Sequence, residues 1–299
     1  MAVPPWVAFA LCTFIWGTTW LAIKIGYEGL DPLWGACLRF LLAGIVMLPF
    51  LAWGGVGWPR GRRQLGVVVA VGLLLFGLDY GLIYWGEQYL PSGLTAVLFG
   101  TLPLFVALGA PLVVPAERAS LRHILGAVIG LAGLILIFRD EIAVGGRMDA
   151  MVAIVVSAAA AASASLIVRR WGRDMSPAKL NAPAMLVGAL ALAAASLLAG
   201  ETPNVPATTN AWWSLAYLSL FGSVVGFLLY WGLLRQWAAT RVSLIIVLTP
   251  VVAVLAGLAI GERLSMWQWV GSATVLAGVA VSLYAPAPAA AAAAGTDHA

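Results

Sequence analysis

The sequence predicts an all-α integral membrane protein of ten transmembrane helices, arranged as two inverted five-helix repeats. Three observations carry that expectation: too little charge to clothe a water-exposed surface, ten apolar runs of bilayer-spanning length, and self-similarity at a spacing near 145 residues. Of the 299 residues, 63% are hydrophobic and 9% charged, against about 45–50% and about 25% in soluble domains. The mean hydropathy is +1.00. With 16 basic and 12 acidic residues the net charge is +4, too small a surplus for a phosphate-binding patch. An ordinary soluble enzyme, a disordered chain and a nucleic-acid-binding protein are excluded.

A hydrocarbon core of about 30 Å takes about 20 helical residues per crossing, and the crossings must be helical because lipid satisfies no open backbone group. The apolar runs fall near 3–27, 31–53, 65–86, 91–114, 121–138, 148–170, 177–199, 211–235, 241–260 and 266–285. The first has no basic region before it and is too long for a signal-peptide core, so it reads as a retained span. Loop charges orient the set. Arg60, Arg62, Arg63, Arg118, Arg122, Arg169, Arg170, Arg173, Lys179, Arg235 and Arg241 occupy one series of alternate loops. The other series holds only Lys24, Arg139, Arg147 and Arg263. Basic residues stay on the cytoplasmic side, which places both termini there. Trp6, Trp34, Trp53, Trp171, Trp212 and Trp267 lie near span ends, as an interfacial belt does. Cys12 and Cys37 sit in apolar runs and imply neither a disulfide nor a metal site.

The repeat is read from matched motifs. Asp31-Pro32 matches Ser176-Pro177, and Gly77 matches Gly222, both 145 residues apart. Tyr84-Trp85-Gly86 matches Tyr230-Trp231-Gly232 at 146, and Pro103 matches Pro250 at 147. Glu117-Arg118, Gly126 and Gly133 match Glu262-Arg263, Gly271 and Gly278, again at 145. The halves are residues 1–145 and 146–285, followed by a low-complexity Ala/Pro tail, 286–299, expected to be disordered. Five spans is an odd number, so the halves run through the membrane in opposite directions. Inverted repeats are the architecture of secondary transporters that alternate access around a midplane site. Gly77, Pro103, Gly222 and Pro250 interrupt matched spans and are the expected hinges.

Arg39 and Asp79 are the ionisable groups deepest in the spans, each about 12 Å from the same membrane edge. An ion pair between them is expected, since an unpaired charge at that depth costs several kcal/mol; contact of Asp79 with a substrate amine or a proton is the alternative. Asp79 aligns with Val224 in the second half. Lys24 and Glu87 read as solvated helix ends. Trp16, Thr19, Trp20, Tyr80, Tyr84, Thr101, Ser163, Tyr230 and Thr249 are mid-membrane aromatic or hydroxyl residues, and with Asp79 they suit the cavity of a small amphipathic molecule. The Gly126–Gly130 spacing and the alanines at 158–162 allow close helix contact, compatible with a monomer or a weak dimer. No G-x-x-x-x-G-K-[ST] loop and no H-E-x-x-H motif is present, so no nucleotide, metal or other cofactor is expected. Two rival readings are a lipid- or isoprenoid-modifying membrane enzyme, which needs clustered carboxylates, and an uncoupled facilitator.

Trp16-Gly17-Thr18-Thr19-Trp20-Leu21-Ala22-Ile23-Lys24, followed by Leu38-Arg39-Phe40, resembles the first two helices of the drug/metabolite transporter superfamily, EamA type. Pro103 with Glu117, and Pro250 with Gly261-Glu262, resemble its two helix-4-like segments. The resemblance runs from about Trp6 to Tyr284 and is nearest to the aromatic-amino-acid exporters. It implies a ten-helix inner-membrane carrier exporting amino acids or similar metabolites, with a central cavity lined by helices 1, 3, 4, 6, 8 and 9. The second half lacks a counterpart of the Trp-Gly and Arg motifs; span 6 is Ala-rich instead.

Overall fold

A computed structural model describes residues 4–53, 57–113, 121–144, 147–234, 242 and 244–283. The Glu117-Arg118 motif, Arg235, Arg241 and the tail from 284 lie outside the described residues. Among those described, every regular element is helical. Seven helical segments are long and apolar enough to cross a membrane, and shorter apolar helices lie at 124–137, 248–259 and 266–281. Together they occupy the ten expected positions.

We number the spans in chain order. α1 is Pro5–Gly26 and α2 is Pro32–Trp53. α3 runs from Gly61 to Gly86 with a π-helical stretch, Gly72–Asp79, in its middle. α4 is broken into Ser92–Phe99 and Leu102–Val113. α5 is Leu121–Val144, α6 Met148–Trp171 and α7 Pro177–Leu198. α8 begins at Thr209, is π-helical over Leu218–Val225 and ends at Leu234. α9 is Leu244–Ala259 and α10 is Met266–Leu283.

The helix ends follow from local chemistry. Ser176 and Thr208 cap α7 and α8 by accepting from the amides of Lys179 and Ala211. Two other N-termini are capped across the fold. Glu201, in the loop after α7, accepts from the amides of Leu33 and Trp34 at the start of α2, at 3.1 and 2.8 Å. Glu262, in the loop after α9, accepts from the amide of Ser92 at the start of α4, at 3.0 Å. Carboxylates at helix N-termini satisfy open donors and meet the positive end of the dipole.

Packing repeats the pseudo-symmetry of the sequence. α2 packs on α7, α4 on α9 and α5 on α10, each helix against its own counterpart. α1 packs on α8 and α9, as α6 packs on α3 and α4. The α5–α10 contact is backbone-close: a methyl on Gly133 would meet Gly271 and Val275, and one on Gly278 would meet Gly126 and Gly130. The glycine face considered above for a dimer contact is therefore filled within the chain. Exposed Trp6, Trp171, Trp212 and Trp267 lie at helix ends, where an interfacial belt belongs.

The hinge positions divide. Gly77 and Gly222 fall inside the π-helical stretches, which lie 146 residues apart and set Asp79 opposite Val225 rather than Val224. Pro103 follows the break in α4, where the amide it lacks would have continued the helix. α9, by contrast, runs through Pro250 without a break.

Candidate functional site

A cavity of about 700 Å³ opens between the repeats. α1 contributes Trp16, Thr19 and Trp20; α3 contributes Asp79 and Tyr80; α8 and α9 contribute Phe227, Tyr230 and Thr249. Phe99 of α4 and Ala161, Ala164 and Ser165 of α6 complete the wall. The start of α7 adds Leu180 and Asn181. One end is walled by Ile23, Ile83 and Ala96, each buried. The other reaches Arg169 and Arg173, both exposed, at the end of α6.

Seven of the ten residues singled out from the sequence thus line one cavity: Trp16, Thr19, Trp20, Asp79, Tyr80, Tyr230 and Thr249. Three do not. Tyr84 is buried against Tyr27, with ring centroids 6.3 Å apart. Thr101 is buried in the α4 break, its hydroxyl donating to the Leu98 carbonyl at 2.7 Å. Ser163 is exposed away from the cavity and donates to the Ala159 carbonyl; Ser165 lines it instead, because two residues along a helix turn a side chain by about 200°.

Trp16 ties the wall to the π-helical stretch of α8. Its indole Nε1 donates to the Gly222 carbonyl at 3.2 Å, and its ring lies 5.6 Å from Phe227 and 5.2 Å from Tyr230. The widened π turn frees backbone carbonyls that an α-helix would engage. A methyl on Gly222 would lie 3.0 Å from Thr19 and 3.2 Å from the Arg39 guanidinium.

The expected Arg39–Asp79 ion pair is absent. Ion pairs among the described residues are Lys24–Glu262, Arg63–Asp174 and Arg147–Asp149. Arg39, 1% exposed, donates from Nε to the Ser223 hydroxyl at 3.0 Å and stacks over Phe40 and Tyr80 at 5.1 and 4.8 Å. A guanidinium is weakly hydrated and binds ring faces well, so the aromatic bed and the π turn take the place of a carboxylate. Asp79 is fully buried, and neither carboxylate oxygen has a hydrogen-bond partner. The Asn181 amide nitrogen is likewise buried without an acceptor. No sequence signal marked Asn181, since a lone Asn in an apolar span carries no pattern.

Beyond the walled end lies a polar latch. Lys24 Nζ donates to Glu262 Oε1 and to the Leu90 carbonyl, both at 2.9 Å, and the Ser92 hydroxyl donates to Glu262 Oε2 at 2.8 Å. Partial burial pushes the Glu262 carboxyl up, but Lys24 and Ser92 outweigh it and hold the group below the usual carboxylate range. Glu87, beside the latch, is fully buried. Glu87 is therefore not the solvated helix end expected from the sequence, whereas Lys24 ends α1 with its side chain 31% exposed and tied into the latch. Among the described residues no group of His, Cys, Asp and Glu could hold a metal ion.

Comparison with known proteins agrees with this architecture. The chain is 32% identical over 266 residues to the Uncharacterized inner membrane transporter YedA of Escherichia coli (strain K12), spanning 88% of this chain and 85% of that protein. It is 26% identical to the Uncharacterized transporter YoaV of Bacillus subtilis (strain 168), over 91% and 94% of the two chains. A solved crystal structure superposes with a TM-score of 0.66 at 21% identity, covering 92% of this chain and 95% of the other, and shows the fold alone. The model of the EamA-like transporter family matches twice, over residues 5–139 and 148–284. Two matches, one to each half of a ten-helix membrane protein built around a central cavity, make this chain a member of the EamA-like transporter family.

Proposed function

We propose that this transporter is an inner-membrane secondary carrier, with both termini cytoplasmic, that exports small amphipathic metabolites. Amino acids are the favoured class, aromatic ones first. One observation carries the reading: a single cavity joins both repeats, has an aromatic wall, and holds an unpartnered carboxyl and an unpartnered amide donor, Asp79 and Asn181. An α-amino acid has the complementary parts, an ammonium for Asp79, a carboxylate for Asn181 and a side chain for Trp16, Trp20 and Phe99. Arg173 at the far end adds positive charge that draws anionic groups toward the opening.

Alternating access follows from the asymmetry of the ends. Basic loops put the Arg169–Arg173 end in the cytoplasm, so the cavity faces the compartment from which an exporter loads. Rocking of α3 and α4 against α8 and α9, about Gly77, Gly222 and the Pro103 break, opens the latched end; Pro250 contributes a flexible site within a continuous helix. Liposomes containing the purified protein and preloaded with each labelled amino acid test the substrate class. Efflux above protein-free vesicles is expected for phenylalanine, tyrosine or tryptophan. Absence of efflux for all twenty overturns the amino-acid assignment.

A further inference from the structure

Glu87 does not line the cavity. It is 0% exposed, and both its carboxylate oxygens lack a hydrogen-bond partner. The Tyr-Trp-Gly motif that precedes it recurs 146 residues later, and the residue in its place there is Leu233. Leu233 is equally buried, packed with Ala8, Cys12, Val242 and Ile245. The position therefore accepts an apolar side chain, and a carboxyl there forgoes packing and leaves its acceptors unsatisfied.

The surroundings of Glu87 are charged on one side. Lys24 and Tyr27 face it from α1, Arg39 from α2, Tyr84 from its own helix and Glu262 from the loop after α9. On α6, Arg147 and Asp149 pair with each other at 2.8 Å, with the Arg147 guanidinium over the Tyr89 ring. Burial holds the Glu87 carboxyl well above the usual carboxylate range; Glu262 pushes the same way, and Lys24 and Arg39 oppose it. Lys24 reaches the loop that follows Glu87, donating to the Leu90 carbonyl at 2.9 Å, and the carboxylate it is bonded to is Glu262.

We propose that Glu87 is a proton-binding site coupled to the latch, so that opening of this end releases a proton. In the closed state Lys24 is bonded to Glu262 and Glu87 is neutral. On opening, the Lys24–Glu262 bond breaks, Glu87 gives its proton to water at that end, and Lys24 Nζ bonds to the new carboxylate. The trio passes from net neutral to one negative charge, balanced by the proton released. This rests on the carrier reading with two accessible ends, and not on the identity of the substrate.

Spin labels at Gln88→Cys and Arg263→Cys, both exposed positions flanking the latch, report its opening in the full chain. The protein is held in lipid nanodiscs, with Cys12 and Cys37 replaced by Ala. The labels should separate as pH rises with Glu87 present. They should keep one short distance from about pH 5 upward, where Glu262 stays ionised, in Glu87→Gln and in Glu87→Leu. Glu87→Leu installs the residue the second repeat itself carries and guards against loss of folding. Infrared spectra at neutral pH should show protonated-carboxyl absorption that Glu87→Gln diminishes. An identical pH response in all three proteins, no response in any, or absorption that Glu87→Gln leaves undiminished overturns the proposal. No arm uses a transported substrate, so a failed amino-acid efflux assay leaves this result intact.

Discussion

Arg39 is held by the Ser223 hydroxyl and two aromatic rings, while Asp79, at the same depth, is fully buried without a hydrogen-bond partner. Their equal depth was legible because depth is a count along the helix; their separation was not, because it depends on which neighbour offers the guanidinium a better bed. Ser223, in the π turn of α8, and the rings of Phe40 and Tyr80 provide it. The consequence is measurable. Asp79→Val installs the residue found at the matched π position, Val225, and removes an unsatisfied buried group costing about 1–3 kcal/mol. Asp79→Val is expected to melt several degrees higher than the unmodified protein while losing amino-acid efflux; a drop in melting temperature would instead point to a structural partner for Asp79. The two glutamates at the latch respond to pH in opposite senses. Glu262 is held below the usual range, so its contribution is present at neutral pH and is lost as pH falls below about 4. Glu262→Gln should cost about 1–3 kcal/mol at neutral pH and less in acid. Glu87 is held above that range, so its neutral form favours folding in acid and that advantage is lost as pH rises. The stability gain from Glu87→Leu should therefore be larger at neutral pH than below about pH 4. Thermal unfolding across pH checks both signs.

Among the elements, the paired π-helical stretches are the feature the sequence announced least. Gly77 and Gly222 signalled that α3 and α8 were irregular, but a glycine marks a bend, a close contact or a π turn alike. What distinguishes the π turn is the spatial need: Trp16 reaches the Gly222 carbonyl, and Arg39 lies under the same turn. Gly226, one residue beyond it, faces the Trp16 indole so closely that a methyl there collides with Nε1. Gly226→Ala is expected to cost about 1–3 kcal/mol through overpacking and to lower efflux by displacing Trp16; Trp16→Phe, which removes the hydrogen bond together with part of the ring packing on Phe227 and Tyr230, should lower efflux as well. Unfolding and efflux of the two variants, measured together, check both. The prolines teach a related lesson. Pro103 and Pro250 match in sequence, yet only α4 is broken. A proline removes one donor in either helix; whether the helix parts there depends on the groups packed around it.

At the scale of the whole molecule, span number and repeat were readable because they rest on hydropathy and spacing; the cavity helices were implied by the family resemblance, which did not include α7. The functional face of each helix was less readable. Ser163 and Ser165 are indistinguishable in composition, but only Ser165 reaches the cavity. Arg169 and Arg173 served in the sequence as markers of orientation, and the same residues line one end of the cavity. The Gly126 and Gly130 face, legible as a close contact, left its partner open between a second copy and α10. Transport requires the latched end to part. Gln88 and Arg263 flank the latch and are both exposed. Gln88→Cys with Arg263→Cys, in a background lacking Cys12 and Cys37, permits the direct measurement: efflux of a transported amino acid before the pair is joined by a short bis-thiosulfonate linker, after it is joined and after reduction. The cross-linked protein is expected to stop exporting, and reduction to restore the rate. Undiminished efflux from fully cross-linked protein would contradict that requirement.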